Sequence, residues 1–522
     1  MNFKRKLWWA QHKSNVYKYG TILSLVLIAT ISIIYFTYSK FSSRNETTAY
    51  ETTVQPFIKN DYFIASYING EWSDSIPGKN DGYEVDKIVC DNGATGTWDN
   101  TDWGINIRNA TKKTKCSVYF KQIYKDNVIA EVPKLAQGMI PVKFDDAGNV
   151  IVADTSTKWY DYEAHEWANA VLVNCADSAI KSKYFNDDMS LKSSVVGKTI
   201  SMDEIMQMYV YIPRYKYQLF NAEDGTSNPQ AINITFESKT TSKSTGTKNG
   251  EWLTHPAFTF GDKELAGIWV GKFETSNTSA LPKIVPNVSS LREMNVSAQF
   301  NTSRLMTTTL ASTYGTSTND DSHMMKNMEW GAVAYLSSSI YGRYTNASTC
   351  IASGCEVWIN NNLDLTTGCA GSSVSASQAS TCNAWNTATG VNASTTGNIY
   401  GIYDMSGGAL EYVMGNYNDT IKNAGFSSMP EAKYYDKYTG TDSDSDFTKY
   451  HLGDATKETI KTKSLGENAW YGDYSYSVSS SHPWVGRGGN CYTGWSAGVF
   501  GFYRSDGLGA PLYSFRSVLS AG

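Results

Sequence analysis

The sequence predicts an α+β protein in which a large region of short strands follows one transmembrane helix and a small β-sandwich-like domain. Three observations lead to this prediction. An uncharged apolar run lies near the N-terminus. Short alternating segments, separated by turns rich in Asn, Gly and Asp, continue through most of the remaining chain. A single well-formed amphipathic helical pattern occurs at residues 322–337.

The composition is that of a folded, loop-rich protein. The 522 residues include 35 Tyr, 15 Trp and 42 Gly, and only 18% of them are charged. A chain of this length can bury large hydrophobic cores. The formal net charge is −5, and the first 40 residues carry six basic and no acidic side chains, which leaves −11 on the rest. The acidic remainder argues against nucleic acid as a partner.

The N-terminal run predicts an uncleaved signal anchor. Residues 19–39 contain no charged side chain and would span about 31 Å as a helix, enough for a bilayer core. The basic residues within 1–18 predict a cytoplasmic tail. The alternative is a cleaved signal peptide, but the run is longer than a usual h-region and no A-x-A-like site follows. We therefore expect a single-pass protein of the cell membrane, with the bulk of the chain extracellular.

A stalk and a small β domain are predicted next. Residues 40–60 are polar and patternless, whereas 61–122 contain short alternating strands in which Cys90 and Cys116 occur. A disulfide between them would stabilise a domain too small for a large core. This unit loosely resembles two-cysteine modules in surface proteins of gut Firmicutes.

The large region extends over 138–522 without a clear linker. Its best helix is expected to begin at Ser322, which can cap it, and to place Met325 and Met328 on one apolar face. A Met stripe at helical spacing is more often core than a binding surface. We interpret the helix as core.

Residues 342–400 form a polar insertion that contains four cysteines. The preferred pairs are Cys350–Cys355 and Cys369–Cys382, although spacing alone does not fix the connectivity. A zinc site is the alternative, but no histidine lies nearby and the spacings match no zinc pattern. We therefore predict two local disulfides in this insertion.

The most informative stretch is 400–413, with the sequence YGIYDMSGGALEYV. Two adjacent glycines permit a sharp turn, and Glu411 then lies among apolar neighbours. A buried carboxylate needs a cation, a metal or several N–H donors as its partner. The alternatives are a functional site and a turn between two core strands with a structurally paired glutamate.

This stretch resembles the "GLYDM-GNVWEW" segment of the formylglycine-generating-enzyme (sulfatase-modifying factor) superfamily. The match includes Gly401, Tyr403, Asp404, Met405, Gly407 and Glu411, with departures at Gly408, Leu410 and Tyr412. Further segments resemble that family in the same order, at 209–217, 267–276, 328–330, 484–489 and 514–519. The resemblance implies a C-type-lectin-like fold for the large region. It also implies that the chain is a divergent member of the superfamily rather than one of its typical enzymes.

The resemblance also implies a structural calcium ion. The matching ligands are the side chains of Asp404 and Glu411 and the backbone carbonyls of Gly407 and Ala409. Calcium takes 6–8 oxygen ligands and mixes carboxylates with carbonyls, so this set is chemically suitable. The alternative is that Glu411 pairs with Arg487 or Arg516, which lie in apolar strands and are expected to form buried pairs, without any metal.

Catalysis by the family's oxidases requires two cysteines that bind copper, five residues apart after an "RGG" segment. Here Cys491 stands near the first position and Ser496 stands five residues later. One thiol cannot form a bis-thiolate site, which argues against copper. Cys491 is the candidate catalytic residue if the chain is an enzyme; otherwise it pairs with Cys175 or is free.

We therefore expect a membrane-anchored protein that binds an extracellular glycan, peptide or protein. Its loops are rich in Tyr, Trp, Ser, Asn and Gly, a composition typical of adaptable recognition surfaces. One alternative is a formylglycine-generating-type oxidase or another surface modifying enzyme. The other is a structural surface-layer component.

Overall fold

Antiparallel sheets dominate the computed structural model of this protein. It describes residues 62–521, apart from gaps at 69, 74–75, 78–82, 112, 123–129, 131, 224–225, 239, 241, 346–349 and 351–353. Of the two units into which the chain divides, 62–522 is the one that contains these residues. The predicted cytoplasmic tail, membrane anchor and stalk lie outside the described residues.

Within the described residues the chain forms 28 strands, many of them short. In chain order they are β1 (Tyr62–Ile68), β2 (Glu71–Trp72), β3 (Tyr83–Cys90), β4 (Thr95–Asp99), β5 (Gly104–Arg108), β6 (Lys115–Gln122), β7 (Ile140–Phe144), β8 (Val150–Val152), β9 (Asn169–Val173), β10 (Thr199–Ile200), β11 (Ile205–Pro213), β12 (Tyr215–Gln218), β13 (Ile234–Phe236), β14 (Trp252–Thr254), β15 (Thr259–Phe260), β16 (Lys263–Glu264), β17 (Gly267–Gly271), β18 (Ser276–Thr278), β19 (Leu281–Lys283), β20 (Asp321–Met324), β21 (Cys369–Ala370), β22 (Asn383–Ala384), β23 (Leu410–Tyr417), β24 (Asp436–Tyr438), β25 (Trp484–Gly488), β26 (Gly498–Ser505), β27 (Tyr513–Phe515) and β28 (Ser517–Ser520).

The largest sheet has eight antiparallel strands in the order β10-β8-β7-β9-β11-β17-β28-β20. Its central strand β11 is buried along its whole length, which explains its continuous run of apolar and aromatic residues. Strand β28, near the C-terminus, lies between β17 and β20. The sheet therefore brings together segments that are distant in sequence.

A second sheet contains five strands. Its path is β24-β23-β25-β26, and β27 also pairs with β23. Strand β27 ends at Phe515 in this sheet, and β28 begins at Ser517 in the eight-stranded sheet. Arg516 is thus the single residue at which the chain passes from one sheet to the other.

Four α-helices occur in the described residues: α1 (Ser178–Tyr184), α2 (Val296–Arg304), α3 (Ala311–Tyr314) and α4 (Asn327–Ser337). Every residue of α4 is buried, so this helix, which contains Met328, belongs to the core. Its predicted start at Ser322 is wrong, because Ser322 pairs with Leu519 in the large sheet. The helix begins only after Lys326, whose backbone N–H donates to the Glu329 carboxylate at 2.8 Å.

Residues 62–122 form a four-stranded sheet, β2-β1-β6-β3, and the hairpin β4-β5. Phe120 and Val118 are buried in its core with partly buried aromatic side chains around them. Tyr344 of the large region donates a hydrogen bond to the Glu84 carboxylate of this sheet. The predicted domain boundaries at 122 and 138 stay predictions.

Three parts of the expected architecture need correction. The structure is mostly sheet, with 32% strand and 13% helix, and does not confirm the C-type-lectin fold within an α+β class. In the part of the chain that the structure describes, no helix has both the length and the apolar character needed to cross a bilayer. This finding gives no support to the predicted single-pass topology and cell-membrane localisation, whose anchor at 19–39 lies outside the described residues.

A buried lysine connects the large sheet to the 400–413 stretch. The ammonium of Lys272 donates to the Asn169 side chain (2.9 Å) and to the carbonyls of Ile399 (2.7 Å) and Gly401 (2.8 Å). Three aromatic rings surround it within 6 Å, those of Phe144, Trp385 and Tyr403. Three acceptors and this aromatic cage hold the ammonium and fix the start of the stretch, although burial lowers the pKa of Lys272 well below its ordinary value.

Candidate functional site

The turn at 404–408 uses backbone angles that favour glycine. Gly407 and Gly408 have φ of +74° and +67°, and Asp404, although not glycine, has φ of +62°. A Cβ on Gly407 would lie 2.4 Å from the Asn360 carbonyl, and one on Gly408 would lie 2.5 Å from the Glu274 carboxylate. The glycine pair therefore permits the close approach of Glu274 to the turn.

Glu411 pairs with Arg516, and both side chains are fully buried. The Arg516 Nε donates to one carboxylate oxygen at 3.1 Å, and its Nη2 donates to the other. The same guanidinium also donates to the carbonyls of Gly271 (2.8 Å) and Tyr403 (2.9 Å). This is the bidentate pair that was the alternative to calcium. Burial raises the pKa of Glu411 to about 7, although the charge of Arg516 opposes that rise.

Asp404 is held by nitrogen donors. Its Oδ1 accepts from the Asn360 side chain (2.8 Å) and the Gly368 N–H (2.9 Å). Its Oδ2 accepts from Gly368 (3.1 Å) and from the Glu274 N–H (3.4 Å). Burial raises the pKa of Asp404, and Arg516 with these donors limits the rise.

Glu274 completes a cluster of three buried carboxyl groups around one arginine. Its Oε1 accepts from the Ala409 N–H at 2.9 Å, whereas its buried Oε2 has no hydrogen-bond partner among the described residues. Burial raises the pKa of Glu274 well above its ordinary value, and the charges of Asp404 and Glu411 raise it further. A protonated Glu274 would leave fewer uncompensated charges in the core.

The structure gives nitrogen partners to the two carboxylates predicted to bind calcium. All four carboxylate oxygens of Asp404 and Glu411 already accept from nitrogen donors. Calcium therefore stays a prediction here, and the geometry favours the arginine pair.

Arg487 is also buried, but it does not pair with Glu411 through its side chain. Its guanidinium donates to the Asn327 side chain and to the carbonyls of Asp454, Ala455 and Val499, all at 3.1–3.2 Å. In β25 it lies opposite Glu411 by backbone register alone. Burial lowers the pKa of Arg487 to about 10. Its contacts are those of a structural residue.

The structure contains three disulfides, Cys90–Cys116, Cys350–Cys355 and Cys369–Cys382, the pairs preferred from the sequence. Cys175 and Cys491 are both free and buried, so they do not pair with each other. Burial raises the pKa of the Cys491 thiol to about 11, and the nearby Glu274 contributes to the rise. At neutral pH this thiol is therefore protonated and shielded, unlike a reactive cysteine.

A separate cleft of about 550 Å³ opens at the surface beside Tyr434, and we call it the Tyr434 cleft. Three basic and four acidic side chains line it, together with two aromatic rings. They come from several distant segments, and its lining is Phe260, Asp262, Lys263, Leu265, Arg304, Thr307, Thr308, Thr318, Asn319, Asp320, Asp321, Glu431, Lys433, Tyr434, Ser520 and Ala521.

Asp321 organises one wall of the Tyr434 cleft. It accepts hydrogen bonds from Arg304 Nη1 at 2.6 Å and from the Tyr434 hydroxyl at 2.9 Å. Burial opposes ionisation of Asp321, but its hydrogen bond to His323 and the charges of His323 and Arg304 lower its pKa to about 2. The cationic groups of Arg304 and Lys433 lie 4.6 and 4.7 Å from the centre of the Tyr434 ring. The wall is thus preorganised, and its Asp321 carboxylate is ionised at neutral pH.

His323 connects that wall to the core. Its Nδ1 lies 3.1 Å from Asp321 Oδ1, and its Nε2 lies 2.9 Å from Glu329 Oε1. An imidazole ring with a carboxylate beside each of its two nitrogens is stabilised in its protonated form, the imidazolium. Burial opposes that charge, but Glu329 and Asp321 outweigh it and raise the pKa of His323 to about 8. The Phe260 ring stacks on the imidazole with centroids 4.6 Å apart.

Neither Glu274 nor any part of the Tyr434 cleft was predicted as a site from the sequence. Glu274 carried a detectable signal, because it is an acid within the buried segment Phe273–Thr275. No sequence signal indicated the cleft, because its residues are scattered from Phe260 to Ala521 and only the fold brings them together. The six histidines likewise appeared as isolated residues in the sequence.

Comparison with known proteins found no protein-family model that matches this chain and no curated protein that matches it.

Proposed function

We propose that this chain is a ligand-binding protein whose Tyr434 cleft holds a peptide segment with charges of both signs. The observation that carries the proposal is the cleft itself, with about 550 Å³ of space and a preorganised, charged wall. Concave sites in which a few polar groups converge are the usual locations of ligand binding.

The chemistry of the lining favours a peptide over an uncharged ligand. Lys263, Arg304 and Lys433 are set among Asp262, Asp320, Asp321 and Glu431, so the lining has almost balanced charge. Arg304 and Lys433 already cover the Tyr434 ring, which leaves its face unsuited to stacking against a ligand. A segment with both acidic and basic side chains complements such a surface.

The alternative of a formylglycine-generating-type oxidase has less support. It would depend on Cys491, whose side chain is fully buried and whose pKa is raised to about 11. A protonated, shielded thiol is a poor nucleophile and a poor metal ligand. The three disulfides are consistent with a protein that works in an oxidising compartment.

An array of synthetic peptides that carry both Lys and Asp tests the proposal. We expect the wild-type chain to bind a subset of them, and Lys433→Ala to bind about tenfold more weakly, as for a central interface contact. Lys437→Ala is the matched control, because Lys437 is an exposed lysine that pairs with Asp419 and does not line the cleft. Binding that is equal in both variants, or no peptide binding at all, would contradict the proposal.

A further inference from the structure

Two exposed aromatic side chains set one surface loop apart. Among the described residues, Tyr492 and Trp495 are the most exposed of the Phe, Tyr and Trp side chains, each at 54%. Both belong to the loop 489–497, which connects β25 to β26. Large aromatic side chains are normally covered, and an exposed group of them marks an interaction site. The Tyr434 cleft includes neither residue.

The loop that presents these rings is anchored at Cys491, next to Tyr492. Cys491 is fully buried, packs in a cluster with Leu365 and Ala409, and donates its N–H to the Gly408 carbonyl at 2.9 Å. Anchoring at the residue that directly precedes Tyr492 limits the conformational entropy that is lost when a ligand binds. The buried thiol, for which catalysis offers no role, thus acts as a structural anchor.

Hydrogen bonds within the loop fix the backbone on both sides of Tyr492. The Asn490 side chain accepts from the Tyr492 N–H at 2.9 Å, and the Thr493 hydroxyl accepts from the Asn490 N–H at 2.9 Å. The Ser496 hydroxyl donates to the Thr493 carbonyl at 3.1 Å, which holds the short 3-10 turn containing Trp495. Both rings are therefore attached to a defined backbone.

The Trp495 indole lies beside Gly472, and other side chains leave the exposed part of the indole uncovered. A Cβ on Gly472 would lie only 3.3 Å from the indole, so the glycine at this position leaves room for the ring. Within the described chain, the indole has no ring partner, no cation above it and no hydrogen bond, unlike Tyr434 in the cleft. Its exposed surface is available for stacking.

The chemistry around the rings selects the ligand. Residues 489–497 contain no charged side chain, and the neutral polar residues Asn490 and Thr493, both partly exposed, lie close to Tyr492 in the chain. We propose that Tyr492 and Trp495 form a stacking platform for the sugar rings of an uncharged polysaccharide. The C–H faces of a pyranose ring are apolar and pack on aromatic rings, while its hydroxyls hydrogen-bond to neutral polar groups.

Other kinds of partner fit this platform less well. A stable protein interface buries about 800 Å² on each side, whereas two half-exposed rings offer less than the roughly 150–250 Å² that each aromatic side chain can bury. Nucleic acids and anionic membranes are recognised through clustered Lys and Arg, which the loop lacks. A neutral glycan is therefore the ligand that fits this platform best.

Native gel electrophoresis of the full chain through gels containing one polysaccharide each tests the proposal. The probes are mannan, galactomannan, mixed-linkage β-glucan and amylopectin, with polygalacturonate as a charged comparison. We expect at least one neutral polysaccharide to retard the wild-type protein. Trp495→Ala should weaken that retardation about tenfold, as for an aromatic hot spot, and Trp495→Phe should restore most of it.

Leu508→Ala is the control, because Leu508 is a similarly exposed apolar side chain, at 57%, outside the loop. It should leave retardation unchanged, and equal thermal midpoints would show that all variants are folded. Three results would overturn the proposal: no retardation by any neutral polysaccharide, full retardation of Trp495→Ala, or retardation by polygalacturonate alone. A wild-type dimer that Trp495→Ala converts to a monomer would also overturn it, because a second copy would then cover the rings.

Discussion

At the residue scale, the main feature is a buried charge cluster that stabilises the protein rather than performing chemistry. Three carboxyl groups, those of Glu274, Asp404 and Glu411, share the field of Arg516. Only Glu411 forms an ion pair with it, and that pair joins the two sheets at the residue where the chain crosses between them. Removing one partner of a buried pair leaves the other charge uncompensated, which costs far more than the pair itself contributes.

We predict that Arg516→Met destabilises the protein by about 3–5 kcal/mol, because Glu411 is then left buried without its partner. Urea unfolding measures the loss. The double variant Glu411→Gln/Arg516→Met should be more stable than Arg516→Met alone. As a control, Lys437→Met removes an exposed pair with Asp419 and should cost no more than about 1 kcal/mol. If Arg516→Met lowers the unfolding free energy by less than about 1 kcal/mol, Arg516 is not the main partner of Glu411.

At the element scale, strand β20 and helix α4 are joined through a buried histidine. Asp321 and His323 lie on the strand, and Glu329 lies in the first turn of the helix. The sequence predicts one helix over this whole segment because its apolar positions fit the helical period. The structure divides it, since pairing with β28 satisfies the backbone of 321–324. The histidine then bridges the two elements.

We predict that this bridge makes stability depend on pH. The pKa of His323 is raised to about 8 in the folded protein, so its stabilising contribution of about 2 kcal/mol is complete below the unfolded value near pH 6.5. It is lost as the pH rises through about 8. Unfolding free energies measured from pH 6 to 9 should fall more in the wild type than in His323→Gln.

The control for this prediction is His482→Gln, which changes an exposed histidine and should keep the wild-type pH dependence. Identical pH profiles in His323→Gln and the wild type would contradict it. Comparing variants is necessary because several charged or titratable groups surround the imidazole or its carboxylate partners, namely Arg304, Asp321, Lys326, Glu329, Lys433, Tyr434 and Asp436.

At the scale of the whole molecule, the eight cysteines fall into two groups: some form disulfides, and the others are packed in the interior as free thiols. Six form short-range disulfides in the small sheet and in the polar insertion, where few apolar residues are available for a core. Cys175 and Cys491 instead lie buried and free. Cys175 packs against Gly315, where an added Cβ would lie 2.7 Å from its sulfur.

We predict that iodoacetamide modifies no cysteine of the folded, unreduced protein. Denaturation without reductant should expose Cys175 and Cys491 alone, because burial protects these two and covalent pairing protects the other six. Peptide mass mapping after each treatment measures the pattern. Reduction before denaturation, as the control, should make all eight available. Labelling of Cys491 in the folded protein would contradict its burial and reopen an enzymatic role for it.

The sequence by itself determined the features that depend on neighbouring residues. It predicted the core location of the helix that contains Met328, the close cysteine pairs and the need of Glu411 for a partner. Each depends on local periodicity, on turn chemistry or on the cost of burying a charge. These constraints act over a few residues, so they can be read without the fold.

Only the tertiary structure decided which partner Glu411 takes, where helix α4 begins and that the Tyr434 cleft exists. Arg516 and Arg487 were equal candidates in the sequence, and their separation follows from the crossing of the chain between two sheets at 516. The cleft joins residues from 260 to 521 through strand pairings that no local pattern encodes. Contacts of such long sequence separation are set by the packing of the whole chain, because many alternative pairings satisfy the same local preferences.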